Sequence, residues 1–303
     1  MSLLVTGSVA FDNLETPAGK RDNLLGGTAV YFSVAASLFT PVRLVAVVGE
    51  DFPDAALADA VGGRPVDTSG LEKRKGSQTF RWTGRYEGSM NEAITLDTQL
   101  GVLGERGPVV PQLFRDASHV FLANSHPLLQ IELLDSLSGP GLIISDTMNL
   151  WISQFKPDLL RLLARVHGLV LNDGEARMLA QTSNLVTAGQ AILAMGPRFA
   201  IIKKGEHGCL IFADGQVAAL PAIPTGTLVD PTGAGDSFAG GLCGYLAQNN
   251  ITSPTIAQLK RAAAFGTAVA SFTIQDFSVA ALKAATREQV QQRVDQLQSM
   301  LSF

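Results

Sequence analysis

Between Asp230 and Gly241 the chain reads Asp-Pro-Thr-Gly-Ala-Gly-Asp-Ser-Phe-Ala-Gly-Gly, which sets a carboxylate directly behind an amide-rich turn of small residues. Pro231 and the glycines stop a preceding strand. Ser237 to Leu246 read as a small-residue helix whose first N–H groups lack intrahelical acceptors and whose positive dipole end faces any anion above them. Gly233, Ala234 and Gly235 let a phosphoryl oxygen approach the backbone, and Asp236 is placed to take the proton of an attacking hydroxyl. At the ordinary aspartate pKa of about 3.9, lowered further by the helix N-terminus, that carboxylate is ionised at neutral pH. The chemistry is phosphoryl transfer; the alternative is a plain strand-to-helix turn in which Asp236 complements the helix dipole. No Gly-x-x-x-x-Gly-Lys-Ser/Thr occurs, and Phe238 stands where a dinucleotide fingerprint needs glycine. A Walker-type NTPase and a Rossmann dehydrogenase both lose ground.

The run resembles the C-terminal signature of the ribokinase-like, or PfkB, carbohydrate kinase family. The likeness extends along most of the chain, from Gly7-Ser8-Val9-Ala10-Phe11-Asp12 to the helix after Asp276. It implies a three-layer α/β/α sandwich with a mostly parallel central sheet and a small β-lid, and an enzyme that uses ATP and Mg²⁺ to phosphorylate an alcohol. Asp236 then matches the catalytic base, and Gly233, Ala234 and Gly235 the anion hole.

On the nucleotide side, Asn172-Asp173-Gly174-Glu175 matches the family's Asn-x-x-Glu motif, which orients phosphate and hydrated magnesium, Glu175 acting through water. Taken alone the tetrapeptide is an ordinary cap for a helix through Met178. Lys203-Lys204-Gly205-Glu206-His207-Gly208 stands where the family has Thr-x-Gly-x-x-Gly. Lys203 replaces the threonine, so an ammonium is offered to the phosphates, with Gly205 and Gly208 in the turn and His207 exposed. Ala264, in the helix Arg261 to Phe272, matches the family's adenine pocket. Asp230 and Thr232 match ligands of a monovalent cation such as K⁺, although Asp276 replaces a glycine usual in the third loop of that site, Thr273 to Ser278.

On the acceptor side the resemblance assigns Asp12, Gly26, Gly27 and Asn124 to the substrate. Asp12 can accept from two vicinal hydroxyls at once, or else cap the following turn. Thr28-Ala29-Val30-Tyr31 lacks the asparagine that usually follows the glycine pair, so ribose or fructose is not the default acceptor. Trp82, Tyr86 and Tyr31 offer rings for a nucleobase or a hexose face, or for the core.

With 303 residues, 46% of them hydrophobic, the chain supports a sizeable core. A net charge of -4 and the absence of an extended basic stripe argue against a nucleic-acid partner. Cys209 and Cys243 are the only cysteines and have no metal-ligand spacing, which fits a reducing cytoplasm. No apolar run reaches membrane-spanning length.

Short apolar runs at Leu3-Val5, Leu44-Val48, Val120-Ala123, Leu142-Ser145, Leu169-Leu171 and Ala200-Ile202 alternate with helical stretches such as Ala29 to Phe39. This is the pattern of a parallel sheet covered on both faces. Thr286 with Gln289 forms a capping box for a closing helix expected on the sheet, with Val290, Val294, Leu297 and Leu301 on its apolar stripe. Asp12 to Leu25 is turn-rich, and Gly76 to Thr98 alternates Phe80, Trp82 and Tyr86 with Arg81, Thr83 and Arg85, as in a half-exposed hairpin. These two segments match the family's lid, which often pairs with a second subunit to give a homodimer. Gly62-Gly63-Arg64-Pro65 resembles a linker, and residues 1–303 read as one domain with the lid segments 12–25 and 76–98 inserted. The leading expectation is a kinase for a sugar or polyol; the alternatives are a nucleoside kinase and a non-catalytic sugar-binding relative.

Overall fold

The computed structural model describes residues 2–302. Its strands are β1 (Leu3–Thr6), β2 (Ala10–Thr16), β3 (Gly19–Gly26), β4 (Val42–Gly49), β5 (Val66–Arg74), β6 (Phe80–Tyr86), β7 (Ala93–Gln99), β8 (His119–Leu122), β9 (Leu142–Asp146), β10 (Gly168–Asn172), β11 (Phe199–Lys203), β12 (Cys209–Ala213) and β13 (Gln216–Leu220). Nine of them form one sheet in the order β13-β12-β11-β10-β9-β8-β1-β4-β5. Pairing is parallel from β5 to β11, and the β11–β12 and β12–β13 pairings are antiparallel, so β12 alone runs against the rest.

Every apolar run picked out above falls on one of these strands, with Ala123 one residue beyond β8, and each is buried on both faces, as parallel strands between helical layers must be. In β1, Val5 joins a core shared with the helices Thr28–Ala36, Ala234–Gln248 and Ile256–Thr273, while Leu4 joins the opposite core with Pro127–Asp135, Lys156–Leu163 and Leu185–Ala194. The result is a three-layer α/β/α sandwich. From β1 the chain moves outward to β4 and β5, then returns to the other side of β1 at β8 and continues to β11. Strand order therefore reverses between β1 and β8, the kind of crevice where open α/β sheets bind ligands.

A second sheet, β3-β2-β6-β7, combines the two segments expected to form the lid. β2 and β6 are parallel, with Asp12 opposite Trp82, so these two side chains share a face of the lid. The other face carries Arg81, whose guanidinium lies 4.8 Å from the Phe11 ring centroid and donates to Asp51 and Asn23. Arg81 thus ties the lid to the core rather than standing in water.

Other details differ from the sequence expectation. The first helix ends at Ala36, not Phe39. The closing helix, Arg287–Leu301, has the expected capping box and buries Val290, Val294 and Leu297, but it packs chiefly on helix Ile256–Thr273 and leaves Leu301 exposed. Gly62-Gly63-Arg64-Pro65 is no linker. Gly62 takes φ 58 to cap a short helix, and Arg64 binds backbone carbonyls of two other elements, Val34 at 3.0 Å and Leu282, Lys283 and Ala285 at 2.6–3.0 Å. Replacing this guanidinium in Arg64→Met leaves those carbonyls without their charged donor and should cost about 2–3 kcal/mol in denaturant unfolding. An unchanged midpoint would show that water replaces it without loss.

Candidate active site

Gly233 takes φ 74 as N-cap of helix Ala234–Gln248, and a β-carbon there would run into the ring of Tyr31. Only glycine fits both constraints. Gly235 is helical, and what its missing side chain leaves room for is the ammonium of Lys203, 2.8 Å from where a β-carbon would sit. Ala234 N–H bonds to Pro231 O at 3.1 Å and Ser237 N–H to Gly233 O at 2.8 Å. The amides of Gly235 and Asp236, at helix positions without intrahelical acceptors, are therefore the ones left for an anion.

Asp236 is half-buried, and desolvation together with the charge of Asp146 pushes its pKa up to about 7. This corrects the expectation that the helix N-terminus holds it low: desolvation outweighs the dipole here. Asp146 at the end of β9, Glu175 just beyond β10 and Lys203 at the end of β11 come from three neighbouring parallel strands and surround Asp236. Lys203 Nζ is 3.9 Å from Asp146 Oδ2, and the carboxylates around it hold its pKa above the usual lysine value despite burial. Glu175 and Asn172 form a reciprocal capping box, Asn172 N–H to Glu175 Oε2 and Glu175 N–H to Asn172 Oδ1, both at 2.7 Å. The structural role that the tetrapeptide allowed is thus real. Burial and the Asp146 charge raise Glu175 to about 7 as well.

Across the cleft, Asp12 on β2 is buried and is pushed up to about 8 by burial, then by the charges of Asp230 and Asp236. Asp12 and the expected base therefore approach each other, although they stand 224 positions apart in the sequence. Gly26 is glycine because a side chain would collide with the Asp12 carboxylate, and Gly27 because φ is 96 and a β-carbon would press on Ser8 O at 2.5 Å. Behind the turn, Asp230 accepts from Thr232 N–H at 2.9 Å and Ser278 N–H at 3.4 Å, which brings the loop bearing Asp276 against it. Thr232 Oγ1 donates to Tyr86 Oη of the lid at 3.2 Å.

Three assignments need correcting. Tyr31 is fully buried and cannot stack on a substrate; its hydroxyl, near Asp12 and Asp230, has no hydrogen-bond partner among the described residues. Asn124 does not present a free amide to the acceptor, since its Oδ1 accepts from Trp151 Nε1 at 2.6 Å and its Nδ2 donates to Met148 Sδ at 3.0 Å. Ala264 lines a groove of about 460 Å³ between helices Ile256–Thr273 and Arg287–Leu301, together with Leu220, Lys260, Arg261 and Val294, and none of Asn172, Lys203 or Gly205 lines it.

Gly205 (φ 53) and Gly208 (φ 78) shape the turn between β11 and β12, where His207 is exposed as expected. Sequence reasoning missed Asn91 at the lid tip, which donates to Glu206 at 3.3 Å and lies against Gly205. It also left Asp146 without a role, though its place at a strand's carboxyl end was a usable signal.

The raised carboxyls predict a stability signature for the free protein. Asp12 carries a folded pKa of about 8 against 3.8 unfolded. Its contribution is fully present below about pH 4 and is lost as pH rises through about 8. Asp12→Asn should therefore raise Tm relative to the parent at pH 8.5 and do so much less at pH 5, where most of the contribution is still present. Equal shifts at both values would mean that Asp12 is not held neutral.

The pfkB family carbohydrate kinase model matches residues 131–286. The chain is 30% identical over 253 residues to a cytidine kinase of Thermococcus kodakarensis, covering 81% of this chain and 88% of that one. Among solved structures it resembles the nucleoside kinase of Methanocaldococcus jannaschii (TM-score 0.75, 19% identity, 97% and 98% of the two chains). It also resembles the Arabidopsis thaliana ribokinase complexed with ribose and ATP (TM-score 0.76, 19% identity, 96% and 98%). These likenesses agree with the nine-stranded sheet, the lid and the anion-binding turn: the chain belongs to the pfkB family of carbohydrate kinases and is an ATP-dependent kinase of a carbohydrate or nucleoside.

Proposed function

We propose that the protein transfers the γ-phosphoryl group of Mg·ATP to a ribose hydroxyl of a nucleoside. Asp236 acts as base, the amides of Gly235 and Asp236 hold the transferring group, and Asp12 binds acceptor hydroxyls. The observation that carries this reading is the approach of Asp12, on the lid, to Asp236 at the N-terminus of helix Ala234–Gln248, whose charge, with that of Asp230, adds to the burial that raises Asp12. A base this close to neutrality suits a hydroxyl that becomes acidic late in a loose transition state. A free sugar or polyol, the leading expectation from sequence, is the second reading. The nucleoside is favoured by the cytidine kinase relative and by Trp82, which shares the Asp12 face of the lid, lies over Gly84 and is fixed by Nε1 donating to Thr95 at 3.2 Å.

Magnesium fits the donor set as a hydrated ion carried by the triphosphate. No group of three or more His, Cys, Asp or Glu among the described residues is arranged to hold a metal ion, so Glu175 would reach it through water. The metal's charge would favour the ionised forms of Glu175 and Asp236, offsetting their burial. A monovalent cation would sit by Asp230 and Thr232, and the comparison of K⁺ with tetramethylammonium in the assay tests it. We also read residues 1–303 as one kinase domain carrying the lid, and a second copy as docking at β7, where Ile94 and Leu96 are exposed. Analytical ultracentrifugation distinguishes that dimer from a monomer.

Transfer from radiolabelled ATP to a panel of nucleosides, free sugars and polyols is the direct test. Activity on a nucleoside above all free sugars is expected, and the reverse ranking would return the assignment to a sugar kinase. Asp236→Asn should lower kcat by at least ~10²-fold with little change in ATP affinity. In the parent, kcat/KM should fall as pH drops through about 7, because the base must be ionised. Trp82→Ala should weaken nucleoside binding by roughly 5- to 150-fold, the scale of one base stacked on one ring, and leave ATP binding alone. A mutant indifferent to the base would remove Trp82 from the site.

A further inference from the structure

Lys203 is a largely buried cation whose stem ends β11 and whose ammonium reaches the underside of the anion-binding turn, beside Gly235. A buried lysine is retained only where anions compensate its desolvation. The anions here are Asp146, Glu175 and Asp236, three carboxylates against one ammonium. The nearest carboxylate oxygen, Asp146 Oδ2, is 3.9 Å away, longer than a hydrogen bond. The ammonium is therefore held in place electrostatically without having its donors saturated by its partner. Asp146 is itself anchored, its Oδ1 accepting from Thr147 N–H at 2.8 Å. The hydroxyls of Thr147 and Ser237, next in sequence to Asp146 and Asp236, are buried without hydrogen-bond partners among the described residues.

An ATP tail entering this cleft adds several negative charges to a place already holding three carboxylates. The amides of Gly235 and Asp236 supply partial charge only. A full positive charge 2.8 Å from the Gly235 β-position is where the terminal phosphoryl group would meet it as it crosses the helix N-terminus. We propose that Lys203 is the cation that grips the terminal phosphoryl group of ATP beneath the turn, and that Asp146, from two strands away, is the positioning residue that keeps it there. The proposal deepens the phosphoryl-transfer reading and rests on it for the site, but not for the identity of the base. No bond to Lys203 forms or breaks: it neutralises the group that moves from the β-phosphate to the acceptor oxygen, while the acceptor proton goes to Asp236.

The test compares the binding of Mg·ATP and Mg·ADP to the full chain by calorimetry, which requires no turnover. Lys203→Met should weaken ATP by at least ~10-fold and ADP by less than twofold, since only ATP carries the terminal group. Lys203→Arg should restore part of the ATP preference. Because Lys203→Met leaves buried carboxylates uncompensated, the double variant Asp146→Asn/Lys203→Met provides a better-tolerated background and should show the same lost preference. Asp146→Asn alone should lower kcat about tenfold and the ATP preference with it, leaving the acceptor KM unchanged, a split that a merely structural role would not give. Equal weakening of ATP and ADP in Lys203→Met, or an ATP preference that survives in the double variant, overturns the proposal. If Asp236→Asn proves active while the ATP preference still depends on Lys203, the base assignment fails and this one stands.

Discussion

Negative charge gathered out of water is the constraint on which this molecule turns. Asp12, Asp146 and Glu175 are buried and Asp236 half-buried at the carboxyl edge of one sheet or under its lid, with Lys203 the cation among them. Each carboxyl is pushed toward its neutral form by desolvation, with neighbouring carboxylates adding to this at Asp12, Glu175 and Asp236 and Lys203 opposing it at Asp146. In the free protein that is a cost to stability, since an apolar cluster of the same volume would be easier to bury. The arrangement becomes favourable only when cations and hydrogen-bond donors enter, as Mg·ATP and a polyhydroxyl acceptor would supply them. Strain of this sort at a binding site is a familiar departure from a stability optimum.

The fold exists to make that gathering possible. Parallel strands put their carboxyl ends at one edge, so β9, β10 and β11 deliver Asp146, Asn172 with Glu175, and Lys203 side by side, without any of these residues being near the others in sequence. The helix that opens at Gly233 then arrives from the far end of the chain and points its free amides into the same space. Small residues do the steric work. Gly240, Gly241 and Gly244 let helix Ala234–Gln248 press against Phe32, Ala36 and Gly266, which sets the height of the anion-binding turn above the sheet.

Much of this was legible in the sequence, for reasons that can be named. A turn whose glycines have steric causes, such as Gly233 against Tyr31, leaves a local signature, and apolar runs flanked by helical patterns identify parallel strands wherever they occur. Asp236 is picked out by that turn, whereas Asp12 and the Asn172-Glu175 pair are picked out by the family resemblance. The direction of the Asp236 pKa was not, because desolvation depends on what the rest of the chain places around a residue. Tyr31 likewise reads as an available ring, and only packing shows that it is the floor of the turn. Asn124 looks like a free amide until Trp151 and Met148, more than twenty residues on, take both of its ends.

The lid ties the two halves of the cleft together through contacts no motif announces. Tyr86, at the end of β6, meets Thr232 behind the anion-binding turn, and Asn91, at the hairpin tip, lies against Gly205 on the nucleotide side. The same sheet carries Asp12 and Trp82 side by side on one face. One rigid hairpin therefore touches the turn that would hold the phosphoryl group, the turn that would border the nucleotide, and the residue that would bind the acceptor. A lid with those three contacts closes over both sides of the cleft at once. That is the arrangement needed to keep water from competing with the acceptor hydroxyl, since water is smaller and far more abundant, and only geometry can exclude it.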